Sequence, residues 1–560
     1  MTMRWPRAGV SLGLCLFSLM LTVSPARTQN RPSAPPNDST PLQGFKIAGT
    51  AVNAITGAPL ARANVSIANT RVRAQRTAVL TDEGGRFEFT AVPPGKYELQ
   101  GSRRGYITSA YEAHEQYSTA IVTGPDFATN RLVLRLMPMA LITGHVLDES
   151  GEPVRDAQVN LFLEDHGGGM SRVRQTETAS TDDRGYFDFN ALRPGTYFAS
   201  VNASPWYEVH PTTDPAGGDA GKRLSPALDV AYPETYFGGA TDSDAAAPIV
   251  LKGGQTQEIE IRLAPVPALH LLVRVPVNTP GETNAFHVPV LQKRVFDLLE
   301  YVRATQVETS ASPGVVEMTG IPAGRYEVGM RSSDPAESRQ FSEINLEHDG
   351  QDLNPTLGET LGKLTVKLRI DEPLPKQYGV GLRDRHQKNV AFVPGDPGKQ
   401  VSFEAVKPGK YALVVAAPGK WYAVTRTISA MGETPGHDVD VLSGPTDVTA
   451  DLVEGVVGIE GAVHKNGKPL AGVMVVLVPN DPEAHVDLFR RDQSDFDGTF
   501  SLGGVIPGTY TIVAVEDAWG FEWLKAGVLA RYVQHGQNLT IGEKMRGTVH
   551  LPDAVEVQQR

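Results

Sequence analysis

Of the residue types that commonly carry chemistry, cysteine is almost missing: the 560 residues contain one, Cys15. Thirteen histidines are scattered along the chain. A zinc peptidase helix needs two histidines four apart with a glutamate between them, but His114-Glu115 has no second histidine at that spacing. The Gly9-x-Ser11-x-Gly13 pattern of a nucleophile elbow falls inside an N-terminal apolar leader. Asp492, Asp495 and Asp497 crowd around Gly498 as in a calcium loop. An EF-hand loop, however, needs an acidic first ligand and a glutamate twelfth ligand, and Gln493 and Gly504 hold those places. A plain β-turn is the better reading. No set of nucleophile, base and metal ligand emerges, so we expect a protein that is not an enzyme, with no cofactor and no bound metal.

Two aromatic segments remain as candidates for binding. One is an insert at 204–250 with Trp206, Tyr207, Tyr232, Tyr236 and Phe237 among Pro, Gly and Asp; the other carries Trp519, Phe521, Trp523 and Tyr532. Exposed ring faces stack on sugars, and neighbours such as Glu208 and Glu234 would then meet hydroxyls. The competing reading is that these rings cover the open end of a small sandwich, and we expect that for most of them. Asn-x-Ser/Thr sequons at Asn37, Asn64, Asn202 and Asn538 are short enough to arise by chance.

The elements that must position these residues are short strands. Glycine (56) and proline (41) exceed ordinary usage without a Gly-X-Y period, which suits many strands joined by tight turns. Arg4 and Arg7, the mostly apolar run Ser11–Val23 and the small residues of Ser24-Pro25-Ala26 read as a secretory signal over 1–26. Cleavage there leaves 50 basic and 64 acidic residues, a net charge of −14, against a broad nucleic-acid-binding surface. It also removes Cys15, and with it any disulfide or thiolate chemistry. Residues 27–43, with four prolines, read as a linker. No later run is long and apolar enough for a membrane anchor. We expect a secreted, periplasmic or cell-surface protein with no stable membrane insertion after cleavage and no nucleic-acid partner.

Repeats divide the rest. The pattern Asp-x-x-Gly-x-Phe-x-Phe-x-x-(Leu/Val)-x-Pro-Gly-x-Tyr occurs from Asp82 to Tyr97, from Asp182 to Tyr197 and, with Leu502 for the second Phe, from Asp495 to Tyr510. Weaker copies run from Gly314 to Tyr326 and from Gly398 to Tyr411. Asp-x-x-Gly is a turn whose carboxylate caps backbone N–H groups and whose glycine takes a positive φ. Phe-x-Phe is a strand with one buried face. Pro-Gly ends it, and Tyr starts the return strand. Upstream, Gly57-x-Pro59-Leu60-x-x-Ala63-x-Val65-x-Ile67 recurs from Gly151 to Leu161 and from Gly467 to Leu477. The chain is therefore all-β, a tandem and elongated array of about five prealbumin-like or Ig-like β-sandwich domains at 44–138, 139–265, 266–357, 358–455 and 456–550, with a tail at 551–560. Units three and four lack the upstream block. Val295 to Thr305 reads as either a helical turn or a strand.

The two repeated blocks together resemble the carboxypeptidase regulatory-like domain, a transthyretin-like, carbohydrate-binding-like sandwich found in tandem in secreted bacterial proteins. The resemblance is strong in units one, two and five and faint in three and four. It implies the sandwich fold and no peptidase activity, because the catalytic domain that names the family has no counterpart here. Related collagen-adhesin sandwiches carry isopeptide staples under a glutamate four residues after the motif tyrosine. Gly101, Val201, Met330, Val415 and Ala514 stand there, so such staples are not expected. The expected role is a binding or spacer module, with a glycan or an envelope protein as partner. The alternatives are a carbohydrate-binding protein using the aromatic loops and, more remotely, the accessory part of a secreted enzyme.

Overall fold

The computed structural model describes residues 44–72, 76–211, 225–276, 287–296, 298–308, 314–332, 340–354, 359–385 and 388–560. The expected signal (1–26) and linker (27–43) lie outside the described residues.

One pairing scheme recurs five times. The first strand of each unit pairs antiparallel with the strand of the Phe-x-Phe position and parallel with a strand from the unit's end. In the first unit Phe45–Asn53 lies between Arg86–Val92 and Leu132–Leu136. In the second, Ala140–Leu147 lies between Tyr186–Leu192 and Thr256–Arg262. Leu269–Arg274, Gly362–Arg369 and Val457–Lys465 have the corresponding partners in the third, fourth and fifth. All five antiparallel pairs break register next to the Pro-Gly end, where the strand bends out of the ladder. A second sheet, such as Arg76–Leu80, Asn64–Asn69 and Gly95–Ser102, closes each sandwich. Alternation places Phe87, Phe89, Val65, Leu99 and Leu134 in one dry core, and Phe187, Phe189, Val159, Tyr197 and Ile261 in the next. The third and fourth units, faint in sequence, are thus sandwiches built on the same scheme, with cores of their own.

The motif tyrosine does more than begin a strand. Its hydroxyl donates to the backbone carbonyl four residues upstream in every unit: Tyr97 to Pro93, Tyr197 to Arg193, Tyr326 to Pro322, Tyr411 to Lys407 and Tyr510 to Ile506. This ties the Pro-Gly corner to the strand that follows it. The turn glycines behave as expected, with φ of 71° at Gly85, 68° at Gly185 and 76° at Gly498.

Two boundaries differ from the sequence reading. Glu359–Thr360 pairs with Gln340–Leu346 and so extends the third sandwich past 357. Val555–Gln558 pairs in parallel with Gly508–Val515 and with Val457–Lys465, so the expected tail is part of the fifth sandwich. Val555 and Val557 are buried there, and their alternation is the signal that an isolated tail reading passes over. Of the two readings open for Val295 to Thr305, the structure has the strand: Leu298–Tyr301 pairs antiparallel with His287–Val295. The tandem array is not a simple extended series, because the fifth sandwich also contacts the first and second, which are not its neighbours in the chain.

Candidate functional site

The aromatic insert of the second sandwich divides into an open end and a closed end. Trp206 is 87% exposed, and its ring stands at 82° to that of Tyr207 with centroids 5.6 Å apart. The hydroxyls of Tyr207 and Tyr232 donate to the two oxygens of Glu149, at 2.6 and 2.7 Å. Burial works against the charged form of Glu149, but the Tyr207 hydroxyl, its own backbone N–H and the Tyr232 hydroxyl together outweigh it and hold the carboxyl below its ordinary range. The same contact raises the Tyr207 hydroxyl to about 12. Both rings are thereby pinned to the 148–153 turn, and Tyr232 is buried. Glu208 faces His210 at 3.5 Å.

Tyr236 is fully buried and Phe237 half-buried against the second core. The partner of Tyr236 comes from the third sandwich. Phe296, at a left-handed φ of 50°, lies 5.8 Å from Tyr236, 5.0 Å from Phe162 and 5.1 Å from Phe198. Its N–H donates to Ser243 Oγ at 2.9 Å, and Lys293 Nζ donates to the Thr241 carbonyl at 2.9 Å. The closed end of the insert is a seam between sandwiches two and three.

The aromatic segment of the fifth sandwich is likewise a seam. Trp519 stacks on His114 of the first sandwich, with centroids 4.5 Å apart and planes within 6°. The Arg491 guanidinium sits over Tyr117, Trp523 and Trp519, at 4.6, 5.0 and 5.5 Å, and pairs with Glu115. Cation–π attraction strengthens as water is excluded, and Arg491 is only 7% exposed. Trp523 is buried and closes on Gly169 of the second sandwich, where an added Cβ would lie 2.6 Å from the indole. Leu524 N–H donates to the Gly169 carbonyl at 3.1 Å and Ser171 N–H to Glu522 Oε1 at 2.9 Å.

The acidic turn completes this joint. In the first two sandwiches the motif aspartate caps its own turn: Asp82 accepts from Gly84 and Arg86 N–H, Asp182 from Arg184 and Tyr186 N–H. In the fifth, Asp497 bonds the N–H and hydroxyl of Thr499 instead. Asp495 is released to face the first sandwich, where it accepts from Ala120 N–H at 3.0 Å and from Lys96 Nζ at 2.5 Å. The Lys96 ammonium lies 3.9 Å from Asp497. A lysine of another domain thus balances the charge that the sequence weighs as a calcium loop. Among the described residues no group of three or more His, Cys, Asp or Glu could hold a metal. Gln493 Nε2 donates to the Glu112 carbonyl and to Thr119 Oγ1, and Phe496 packs on the first sandwich's core.

Sequence reasoning singled out the rings but missed Arg491, which lies over them, and the roles of Lys96 and Glu115, which pair with Asp495 and Arg491 across the joint. The one local signal was the extra acidity at 492–497, more than a single turn needs. It also missed Phe392 on the fourth sandwich. That ring is 58% exposed, lies against Gly379 and borders a cavity of about 570 Å³ with Tyr378, Pro394 and Pro418.

Three solved structures illustrate the likeness to known proteins. The TIE protein of Bacillus anthracis is 11% identical over 75% of this chain and 76% of its own, with a TM-score of 0.18. A streptococcal ancillary pilin is 10% identical over 55% of this chain and 99% of its own, with a TM-score of 0.19. A minor pilin of Streptococcus agalactiae is 9% identical over 43% of this chain and 100% of its own, with a TM-score of 0.21. No curated protein matches the chain. The family model of the carboxypeptidase regulatory-like domain matches residues 46–125 and 141–219, so the first two sandwiches carry the family pattern that the repeats resemble.

Proposed function

We propose that the chain is a secreted, non-enzymatic multidomain β-sandwich protein that serves as a binding and spacer module at the cell envelope or outside the cell. The observation that carries this reading is the use made of its most chemically capable side chains. Arg491, Trp519, Trp523, Lys96 and Asp495 are spent on holding the fifth sandwich to the first and second. A spacer must keep its domains in fixed relation, whereas an enzyme must leave such groups open to a substrate. Arg491→Ala tests the reading by differential scanning calorimetry. We expect one coupled transition to separate into two, with the fifth sandwich melting first. Unchanged melting would count against a locked array. Cell fractionation tests the placement, and recovery in the cytoplasm would overturn it.

A second reading is favoured by Trp206 alone. Its ring is largely exposed beside a Tyr207 that Glu149 holds in place, an arrangement suited to stacking on a sugar ring. Glycan-array binding that is lost in Trp206→Ala would establish it.

A further inference from the structure

The seam between sandwiches two and three also contains a line of ionisable groups that the spacer role does not require. His270, on the first strand of the third sandwich, is buried. Its Nδ1 lies 2.8 Å from Glu317 Oε1 and its Nε2 lies 3.1 Å from Asp229 Oδ2. Glu317 is fully buried on the neighbouring strand, Val315–Ile321. Asp229 belongs to the insert of the second sandwich, and its other oxygen lies 2.9 Å from His210 Nδ1. His210 Nε2 faces Glu208 at 3.5 Å, and Asp349 accepts the backbone N–H of His270 at 2.8 Å. Gly320, at φ 79°, gives His210 its place: a Cβ there would lie 2.8 Å from the ring.

Hydrogen counting makes this line informative. A neutral imidazole has one N–H donor and one lone pair, while an ionised carboxylate only accepts. His270 presents both ring nitrogens to carboxylate oxygens within bonding distance. Both contacts are hydrogen bonds only when each carries a hydrogen, either on the ring or on one of the facing carboxyls. Without it, a lone pair meets an oxygen in a largely buried site, and that contact becomes repulsive. The contact to Asp229 is the one that crosses between domains. Asp229 also anchors the joint by its backbone, whose carbonyl accepts from Ala268 N–H at 3.0 Å beside the Val230–Ala231 and Val266–Pro267 pairing.

We propose that a proton shared by Glu317, His270 and Asp229 latches the second sandwich to the third, and that the joint loosens when this proton is lost to solvent at higher pH. The sign follows from the count. The closed seam binds one proton more than an open seam with a neutral ring and two carboxylates, so closure is favoured at low pH and weakened as pH rises.

Hydrogen exchange on the full chain tests this, read at peptides covering 228–236 and 266–274 and corrected for the intrinsic pH dependence of exchange. Across about pH 5 to 9, the histidine range, protection of both should fall by roughly tenfold or more while peptides of the fourth sandwich hold theirs. Glu317→Gln offers Nδ1 a carbonyl acceptor or an amide donor, so a neutral ring is satisfied and the pH dependence should flatten. His270→Gln should flatten it as well; Glu317→Gln decides the case if that variant folds poorly. Selective ¹⁵N labelling gives a separate readout: ring shifts of a doubly protonated or strongly hydrogen-bonded His270 at the low end of the range. Protection that is independent of pH in the parent, or a pH dependence that survives in Glu317→Gln, would overturn the proposal.

Discussion

Lys96 and Asp495 are separated by 399 residues of chain and by 2.5 Å between Nζ and Oδ2. The turn that holds Asp495 is the repeat turn of the first two sandwiches with its cap moved two residues along, onto Asp497. Duplicated domains carry the same turns, and one such turn became a joint through a change of hydrogen-bond partner without a change of backbone: Gly498 N–H still bonds the Asp495 carbonyl, as Gly85 N–H bonds Asp82. A double-mutant cycle of Lys96→Met and Asp495→Asn should give a coupling of about 1 kcal/mol, limited by the partial exposure of the pair. Additive single effects would show that the joint rests on its aromatic contacts alone.

Asp492, beside this joint, carries a pH dependence of known sign. Burial raises its carboxyl from the ordinary aspartate range to about 6, while the Ser501 N–H, bonded at 2.7 Å, opposes the rise. The folded state therefore binds this proton more tightly than the unfolded chain. Stability falls as pH rises through the interval between the ordinary value and about 6, and the full cost is present above it. Asp492→Asn keeps an oxygen for Ser501 and removes the charge. We expect it to stabilise the fifth sandwich at neutral pH by roughly 1–2 kcal/mol and to flatten its stability between pH 4 and 7, as read by urea unfolding. A variant less stable than the parent at pH 7 would contradict this.

The tyrosine corner offers the same test five times over. Replacing Tyr411 or Tyr510 by Phe keeps the ring and deletes one hydroxyl bond to a carbonyl at a strand bend. Each change should lower the stability of its own sandwich by about 1–2 kcal/mol, measured by hydrogen exchange of that unit's core strands. Equal effects in the faint fourth unit and the clear fifth would show that the corner is the repeat's shared structural device. No effect in either would reduce it to a geometric coincidence.

Much of this fold was legible because its signals are local. Phe87 and Phe89, or Phe187 and Phe189, alternate with polar residues, and a two-residue period leaves little doubt about which face is buried. The turn glycines announce themselves, since Gly185 lies where a Cβ would come 2.5 Å from the Val146 carbonyl. The joints were not legible because their partners are remote. Nothing near Trp519 names His114, and nothing near Tyr236 names Phe296. An aromatic residue among Pro and Gly reads alike whether it faces a sugar or a neighbouring domain. The difference lies in burial by other units, to which a one-dimensional pattern is blind. Asp495 shows the same limit: its motif position predicted a capped turn, and the turn is there, yet its carboxylate points elsewhere.

Trp206 and Trp523 separate the two uses of these aromatic segments. Trp523 is buried under Arg491 and against Gly169, so Trp523→Ala removes ring contacts on two sides and leaves a void at a three-domain junction. The loss should be about 3 kcal/mol or more, with a lower melting temperature for the fifth sandwich and faster exchange at Gly169 and Leu524. Trp206 is largely exposed and stands nearly perpendicular to Tyr207. Trp206→Ala should shift stability by less than about 0.5 kcal/mol, because the removed surface was already in water. Any effect of that variant must then appear in binding. If Trp206→Ala melts like the parent and loses affinity for a sugar that the parent binds, the open ring is a recognition surface carried on a locked scaffold. If the parent binds no sugar, or the variant retains full affinity, the glycan reading fails while the locked array stands on Trp523.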